Sequence, residues 1–274
     1  MRVITVANRK GGAGKTSISI NLAAGLAKRG ERSGSKVVLL DFDPQLNSLK
    51  TISNTTQYTN IESLAAAVAD DELLELLNLE RPVLASLVQP APEGWYSNLY
   101  FVPSREALLT EVKRRMPAST NRVTLMRAAI GSLRAFDYVV IDTGPSIDDL
   151  LVTILAATDF VLIPVEMDEH SVEGALRLTE KVAEISGGGA RPRVLGYVAN
   201  KFAQRRVGDR NAIDLMQQLF KGNVFQAVIP ASIEVRYSQQ ARLDLYRFNR
   251  DCPATIAMAQ MVDEAVRRMN GTAH

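Results

Sequence analysis

Two kinds of apolar spacing alternate along the chain. Short runs rich in β-branched and aromatic residues stand at 3–6, 37–40, 98–103, 136–142, 160–165, 194–200 and 224–230. Runs this short and this apolar predict strands buried on both faces. Between them, apolar residues recur at helical spacing. Ile18, Leu22, Ala23 and Leu26 follow the first run, and Ile256, Met258, Met261, Val262, Ala265, Val266 and Met269 lie near the end. Further helices are expected over 105–116, 121–134 and 172–185. This alternation predicts an α/β fold: three layers, with a mainly parallel twisted sheet of about seven to eight strands and helices on both faces. At 274 residues the chain is long enough for one large core, and a single domain over 1–274 is expected. The stretch 52–92 says least. Ile61–Leu64 and the run VADDELLELLNL over 68–79 read as helices, and Pro82 and Pro90–Pro92 mark loops.

Chemistry enters at the end of the first strand. Lys10-Gly11-Gly12-Ala13-Gly14-Lys15-Thr16 separates that strand from the first helix. Strand, glycine-rich loop and helix form the context of a phosphate-binding loop. Its glycines bring backbone N–H groups up to an anion, and the positive end of the helix points the same way. In such a loop Lys15 reaches the β- and γ-phosphates of a nucleotide, and Thr16 holds Mg²⁺. Gly11, Gly12, Ala13, Gly14 and Ser17 complete the candidate nucleotide-binding set. A strict G-x-x-x-x-G-K-[ST] pattern needs glycine at position 9, where Arg9 stands; a second lysine, Lys10, opens the loop instead.

Two later strands end in aspartate. The second runs into Asp41-Phe42-Asp43-Pro44-Gln45-Leu46-Asn47-Ser48, where a carboxylate lies at the ligand-binding end of a parallel sheet. Its plainer reading is a capped turn. The fourth ends at Asp142-Thr143-Gly144-Pro145, the pattern of a strand whose aspartate binds Mg²⁺.

These motifs together resemble the ParA/MinD family of deviant Walker A P-loop ATPases, and among them the plasmid and chromosome partitioning ATPases most. The resemblance is strong over Lys10–Thr16, Asp41–Ser48 and Val139–Pro145. It implies ATP and Mg²⁺ as cofactors, with Thr16, Asp41 and Asp142 around the metal. It implies that Lys10 crosses a dimer interface to the partner's nucleotide and that Asp41 orients the attacking water. Asn200 and Pro230 would flank the adenine, with Asn200 as a turn cap the alternative. Gly144 departs from the family's usual D-T-P-P and should loosen that loop. The implied function is cargo positioning: an ATP-bound homodimer binds DNA non-specifically, and a ParB-like adaptor stimulates slow hydrolysis and release.

Composition narrows the choices. Hydrophobic content of 46% and charged content of 23% are those of an ordinary globular protein, and the net charge is only +2. Any contact with nucleic acid must therefore come from local clustering. Between Lys201 and Arg250 there are nine basic and four acidic residues. Lys201, Arg205, Arg206, Arg236, Arg242 and Arg247 are the DNA-binding candidates there, against the alternative of a solvated basic face. A second basic run, Arg105, Lys113, Arg114, Arg115, Arg122, Arg127 and Arg134, reads as a solvated helix surface. The single cysteine, Cys252, excludes an iron–sulfur member of the family and suits a reducing cytoplasm. No apolar run reaches the length of a membrane span, and the tail MNGTAH lacks the basic amphipathic character of a MinD-like membrane anchor. The chain enters a strand at once, so neither a signal peptide nor an added DNA-binding module is expected ahead of it. No membrane partner and a cytoplasmic, nucleoid-associated location follow as expectations.

Overall fold

The computed structural model describes residues 1–53, 64–76, 78–116, 121–188, 192–203 and 207–271. Its centre is a seven-stranded sheet. The strands are β1 (Arg2–Val6), β2 (Val37–Asp41), β3 (Gln89–Pro90), β4 (Leu99–Phe101), β5 (Tyr138–Asp142), β6 (Phe160–Glu166) and β7 (Arg193–Asn200). Their order across the sheet is β3-β4-β2-β5-β1-β6-β7. Six strands run parallel, and the two-residue β3 pairs antiparallel with β4 at one edge.

The alternation of β6 shows why helices are needed on both faces. Phe160 and Leu162 join a large apolar cluster that includes residues of α1 (Lys15–Gly30) and α12 (Pro253–Met269). Val161, Ile163 and Val165 join a second cluster with α7 (Asp149–Ala156), α8 (Glu169–Gly187) and α9 (Val207–Phe220). Each face alone would leave a row of fully buried branched side chains in water, at about 1.5–3 kcal/mol apiece. α12 spends its apolar side on this core: Met258, Met261, Val262, Ala265 and Met269 are buried. Among the described residues no helix is long and apolar enough to cross a membrane.

Two expected elements differ. The run 224–230 is not a continuous strand: it follows β7 through isolated bridges, Tyr197 with Val224 and Phe202 with Pro230, and through bonds from Phe225 N to Tyr197 O and Ile229 N to Ala199 O, with a break between them. The cause is Glu264 of α12, whose carboxylate accepts from Gln226 N and Ala227 N at 3.0 and 3.4 Å. Those donors are thereby taken from any strand pairing, and Pro230 has none to give. The expected helix over 68–79 is shorter, α4 (Asp71–Leu76), with α3 (Leu64–Val68) a separate helix ahead of it. Asp70 breaks them apart by accepting from Leu73 N at 2.9 Å, as an N-cap does. Of the helix expected over 61–64, residues 61–63 lie outside the described residues, and Leu64 opens α3.

Register sets the site. β1, β2 and β5 are neighbours, with Val6 opposite Asp142 and Asp41 opposite Asp142. The three strands therefore end level, and their loops share one edge of the sheet.

Candidate functional site

The loop from Lys10 to Gly14 leaves β1 at that edge. Gly12 and Gly14 have φ of +82° and +90°, conformations that L side chains rarely adopt. At Gly14 there is a second constraint, since a Cβ there would collide with the Asn200 amide. Asn200 Nδ2 donates to Ala13 O at 2.8 Å, so this side chain, expected to face the adenine, also braces the loop.

Lys15 opens α1, and its Nζ donates to Lys10 O at 3.0 Å. Burial lowers the affinity of this ammonium for its proton, and Asp142 and Asp43 offset that only in part. A buried cation that spends its one recorded bond on a carbonyl of the loop is held ready for an anion there.

The two register-matched aspartates behave differently. Asp41 is fully buried and closed: its Oδ2 accepts from Ser48 N at 2.9 Å, Ser48 Oγ at 2.7 Å and Leu49 N at 3.2 Å, and its Oδ1 accepts from Asp43 N at 3.0 Å. Burial pushes its carboxyl up to about 6 despite these bonds. Asp142 is equally buried, and its Oδ1 accepts from Ser19 Oγ and Thr143 N at 3.0 and 3.1 Å. Its Oδ2 has no partner. Burial and the adjacent Asp41 raise this carboxyl well above the usual range, against the Ser19 hydrogen bond and the nearby Thr16 hydroxyl and Lys15 ammonium. A buried carboxylate oxygen without a donor, beside a threonine hydroxyl, fits a hard cation. Among the described residues no group of three or more His, Cys, Asp or Glu could hold a metal ion. Asp43, in contrast, is only half-buried, and its carboxylate lies 3.6 Å from where a Cβ at Gly144 would be.

Lys10 does not point into solvent. Its Nζ pairs with Glu166 at 2.7 Å, the last residue of β6, and with Asp168, the N-cap of α8. Burial acts to lower this ammonium, but the bonds to Asp168 and Glu166 outweigh it and lift it above the usual lysine value. Lys201, with φ of +56°, also leans on Glu166, at 3.6 Å. These two acids were not assigned a role from sequence. Their signal was their position at the end of β6, the same edge that places Asp41 and Asp142.

Beside the loop lies a cavity of about 530 Å³, lined by Gly14, Asn200, Pro230, Ser232, Arg236 and Gln239 among others. Pro230, expected to flank the adenine, is one of the residues that line it. The DNA-binding candidates separate. Lys201 and Arg236 line this cavity. Arg247 lies over the Tyr96 ring at 4.1 Å and beside the buried Asp244. Arg242 is exposed with φ of +57°. Arg205 and Arg206 lie outside the described residues. The second basic run is not simply solvated: Lys113 pairs with Asp148, Arg122 with Asp149, and Arg127 donates to Ala156 O, all on or next to α7.

Comparison with known proteins agrees with this geometry. The family described as an AAA domain matches residues 1–190. The chain belongs to the ParA/MinD family of P-loop ATPases. Its relatives include the chromosome partitioning protein ParA of Caulobacter vibrioides, 28% identical over 274 residues, covering 98% of this chain and 95% of that protein. The sporulation initiation inhibitor protein Soj of Bacillus subtilis is 26% identical over 235 residues, covering 85% and 86%. An ATP complex of a Cyanothece McdA variant superposes with a TM-score of 0.78 at 22% identity, covering 97% and 96%, a likeness of fold. ATP with Mg²⁺ is the cofactor pair of this P-loop family, and the donor set around Asp142 fits it.

Proposed function

We propose that the chain is a partitioning ATPase, one domain over 1–274, that hydrolyses ATP slowly and switches between monomer and dimer. The observation that carries this reading is the unpartnered Asp142 Oδ2, set beside Thr16 and Lys15 under a glycine loop. Bound Mg²⁺ would neutralise phosphate charge there, with Thr16 and Asp142 as its protein ligands. Lys15 and the N–H groups of Gly11–Thr16 hold the phosphates. Asn200 fixes the loop and, with Pro230, bounds the base cavity. The water-orienting role passes from Asp41 to Asp43. Asp41 has its carboxylate closed by Ser48, Leu49 and Asp43 N, whereas Asp43 faces the loop after β5. Asp41 then acts by placing Ser48 and by adding negative charge next to the metal.

Lys10 has two resting partners in its own chain, Glu166 and Asp168. Dimerisation in this reading exchanges them for the phosphates held by a second copy, so ATP sets the exchange. Doubling the number of basic residues presented to a duplex raises affinity without any new contact type. Lys201, Arg205, Arg206, Arg236, Arg242 and Arg247 remain the candidates, and the four of them that are described are all exposed. A ParB-like adaptor that stimulates turnover, and residence on the nucleoid, follow from the partitioning relatives. A membrane anchor is disfavoured by α12, whose apolar side is already buried.

The test compares wild type with Lys10→Ala, with ATP and with ADP, by sedimentation and by binding to unrelated duplexes at two salt concentrations. Wild type with ATP should dimerise and bind DNA at least roughly tenfold more tightly than with ADP. Lys10→Ala should bind ATP but stay monomeric. DNA binding that ignores the nucleotide, or a Lys10→Ala dimer of normal turnover, would overturn the reading.

A further inference from the structure

The loop that follows Asp142 is pinned at both ends. At its near end, Thr143 Oγ1 donates to Val6 O at 2.8 Å. Its far end is held from outside the sheet. Lys113, on α5 (Glu106–Arg115), donates from Nζ to Ser146 Oγ at 2.9 Å and pairs with Asp148 Oδ2 at 2.9 Å. Ser146 Oγ donates to the same Asp148 oxygen at 2.5 Å. The other oxygen, Oδ1, accepts from Leu151 N at 3.0 Å and caps α7. Burial pushes the Asp148 carboxyl up, but the bonds from Ser146, Leu151 N and Lys113 outweigh it and keep it charged. The pair is about two-thirds covered on both sides, so water screens it less than an open surface pair.

Between these pins lie Gly144, which faces Asp43, and Pro145, which faces the nucleotide loop. A Cβ at Gly144 would sit 3.6 Å from the Asp43 carboxylate. A Cβ at Gly11 would sit 3.9 Å from Pro145 Cβ. Glycine at 144 has the widest backbone freedom of any residue, so the shape of this loop over Asp43 depends on its anchors. The near anchor belongs to the sheet. The far anchor joins Ser146 and Asp148 to Lys113, which reaches them from α5.

We propose that Lys113 is a positioning residue for hydrolysis. Through Ser146 and Asp148 it holds Gly144 and Pro145 against Asp43 and the phosphate loop, offsetting the freedom of Gly144. The proposal rests on the ATPase reading above. It assigns Lys113 no contact with nucleotide, so its removal acts on turnover and not on affinity.

Lys113→Met and Lys113→Arg test this with three readouts: kcat, affinity for a fluorescent ATP analogue, and amide hydrogen exchange over 143–148 in the nucleotide-free protein. Lys113→Met should lower kcat roughly tenfold, leave affinity within about twofold, and speed exchange in the loop. Lys113→Arg keeps the charge and reach and should restore most of the turnover. Gly144→Ala in the Lys113→Met background should recover part of it, since the added Cβ meets Asp43 only at ordinary contact distance. Unchanged kcat and exchange in Lys113→Met would overturn the proposal. So would a parallel loss of affinity and turnover, which marks a merely structural lysine. A wild-type chain that hydrolyses no ATP would overturn the ATPase reading instead, while the exchange arm would still report on the clamp.

Discussion

The loops after β2 and after β5 start alike and end differently. Each begins with a fully buried aspartate, and the two are register neighbours across the sheet. The first loop folds back on its aspartate. α2 (Asn47–Ile52) presents Ser48 N, Ser48 Oγ and Leu49 N to Asp41, and Asp43 N closes the other oxygen. The second loop runs on to α7 and leaves Asp142 Oδ2 without a donor. Two buried carboxylates side by side are costly, and the difference shows how that cost is divided. One is satisfied by the protein and serves as structure. The other is left for a ligand, and its cost is removed only when a cation arrives.

The largest effect on stability should come from the closed member of the pair. Asp41→Asn turns an amide N–H₂ toward donors, leaving at least one of Ser48 N, Leu49 N or Asp43 N unpaired. It should cost the nucleotide-free protein roughly 2 kcal/mol, about 4–8 °C in melting midpoint. Asp142→Asn should cost little or be mildly stabilising, because it removes a buried charge with an empty oxygen. If the two substitutions destabilise the apo protein equally in calorimetry, the contrast fails.

A smaller effect should appear with pH. Asp41 has its carboxyl raised to about 6 in the folded chain, above the usual carboxylate value of 3.8. The folded state therefore binds more protons than the unfolded one between those values. Its contribution to stability is fully present below 3.8 and lost as pH rises through 6. Taking nucleotide-free protein from pH 7 to pH 5 should raise this contribution by about 1 kcal/mol. Asp142 is shifted in the same direction. Subtracting the Asp41→Asn profile from that of wild type isolates the Asp41 share; a flat difference between pH 5 and 7 would contradict it.

The same contrast explains what could be read from the sequence. The phosphate loop was legible because its chemistry is local: glycines, Lys15 and Thr16 fall in seven consecutive residues between a strand and a helix. Asp142 was legible because it ends an apolar run. The roles within the loop after β2 were not, because Asp41 and Asp43 are two residues apart and either could serve. Only the fold shows that α2 closes one and exposes the other. Glu166, Asp168 and Lys113 were out of reach for a similar reason. Each meets its partner across more than 30 residues of chain, through pairings that no local pattern encodes. The run 224–230 misled because its apolar residues have strand character, while a glutamate 38 residues after Gln226 takes the backbone donors of Gln226 and Ala227. The basic residues after β7 read as one patch in sequence, yet Arg247 lies against Tyr96 while Lys201 and Arg236 line the cavity beside the loop.

The most direct test of the central claim, that Asp142 is the carboxylate left open for the cation, is ATP binding by titration calorimetry with and without Mg²⁺, in wild type and Asp142→Asn. Wild type should bind ATP much more tightly with Mg²⁺ than without it. Asp142→Asn should lose most of that difference, a drop of roughly 10–100-fold in the Mg²⁺-dependent affinity, while its metal-free binding stays near that of wild type. A full Mg²⁺ effect retained in Asp142→Asn, or none in wild type, would contradict the account.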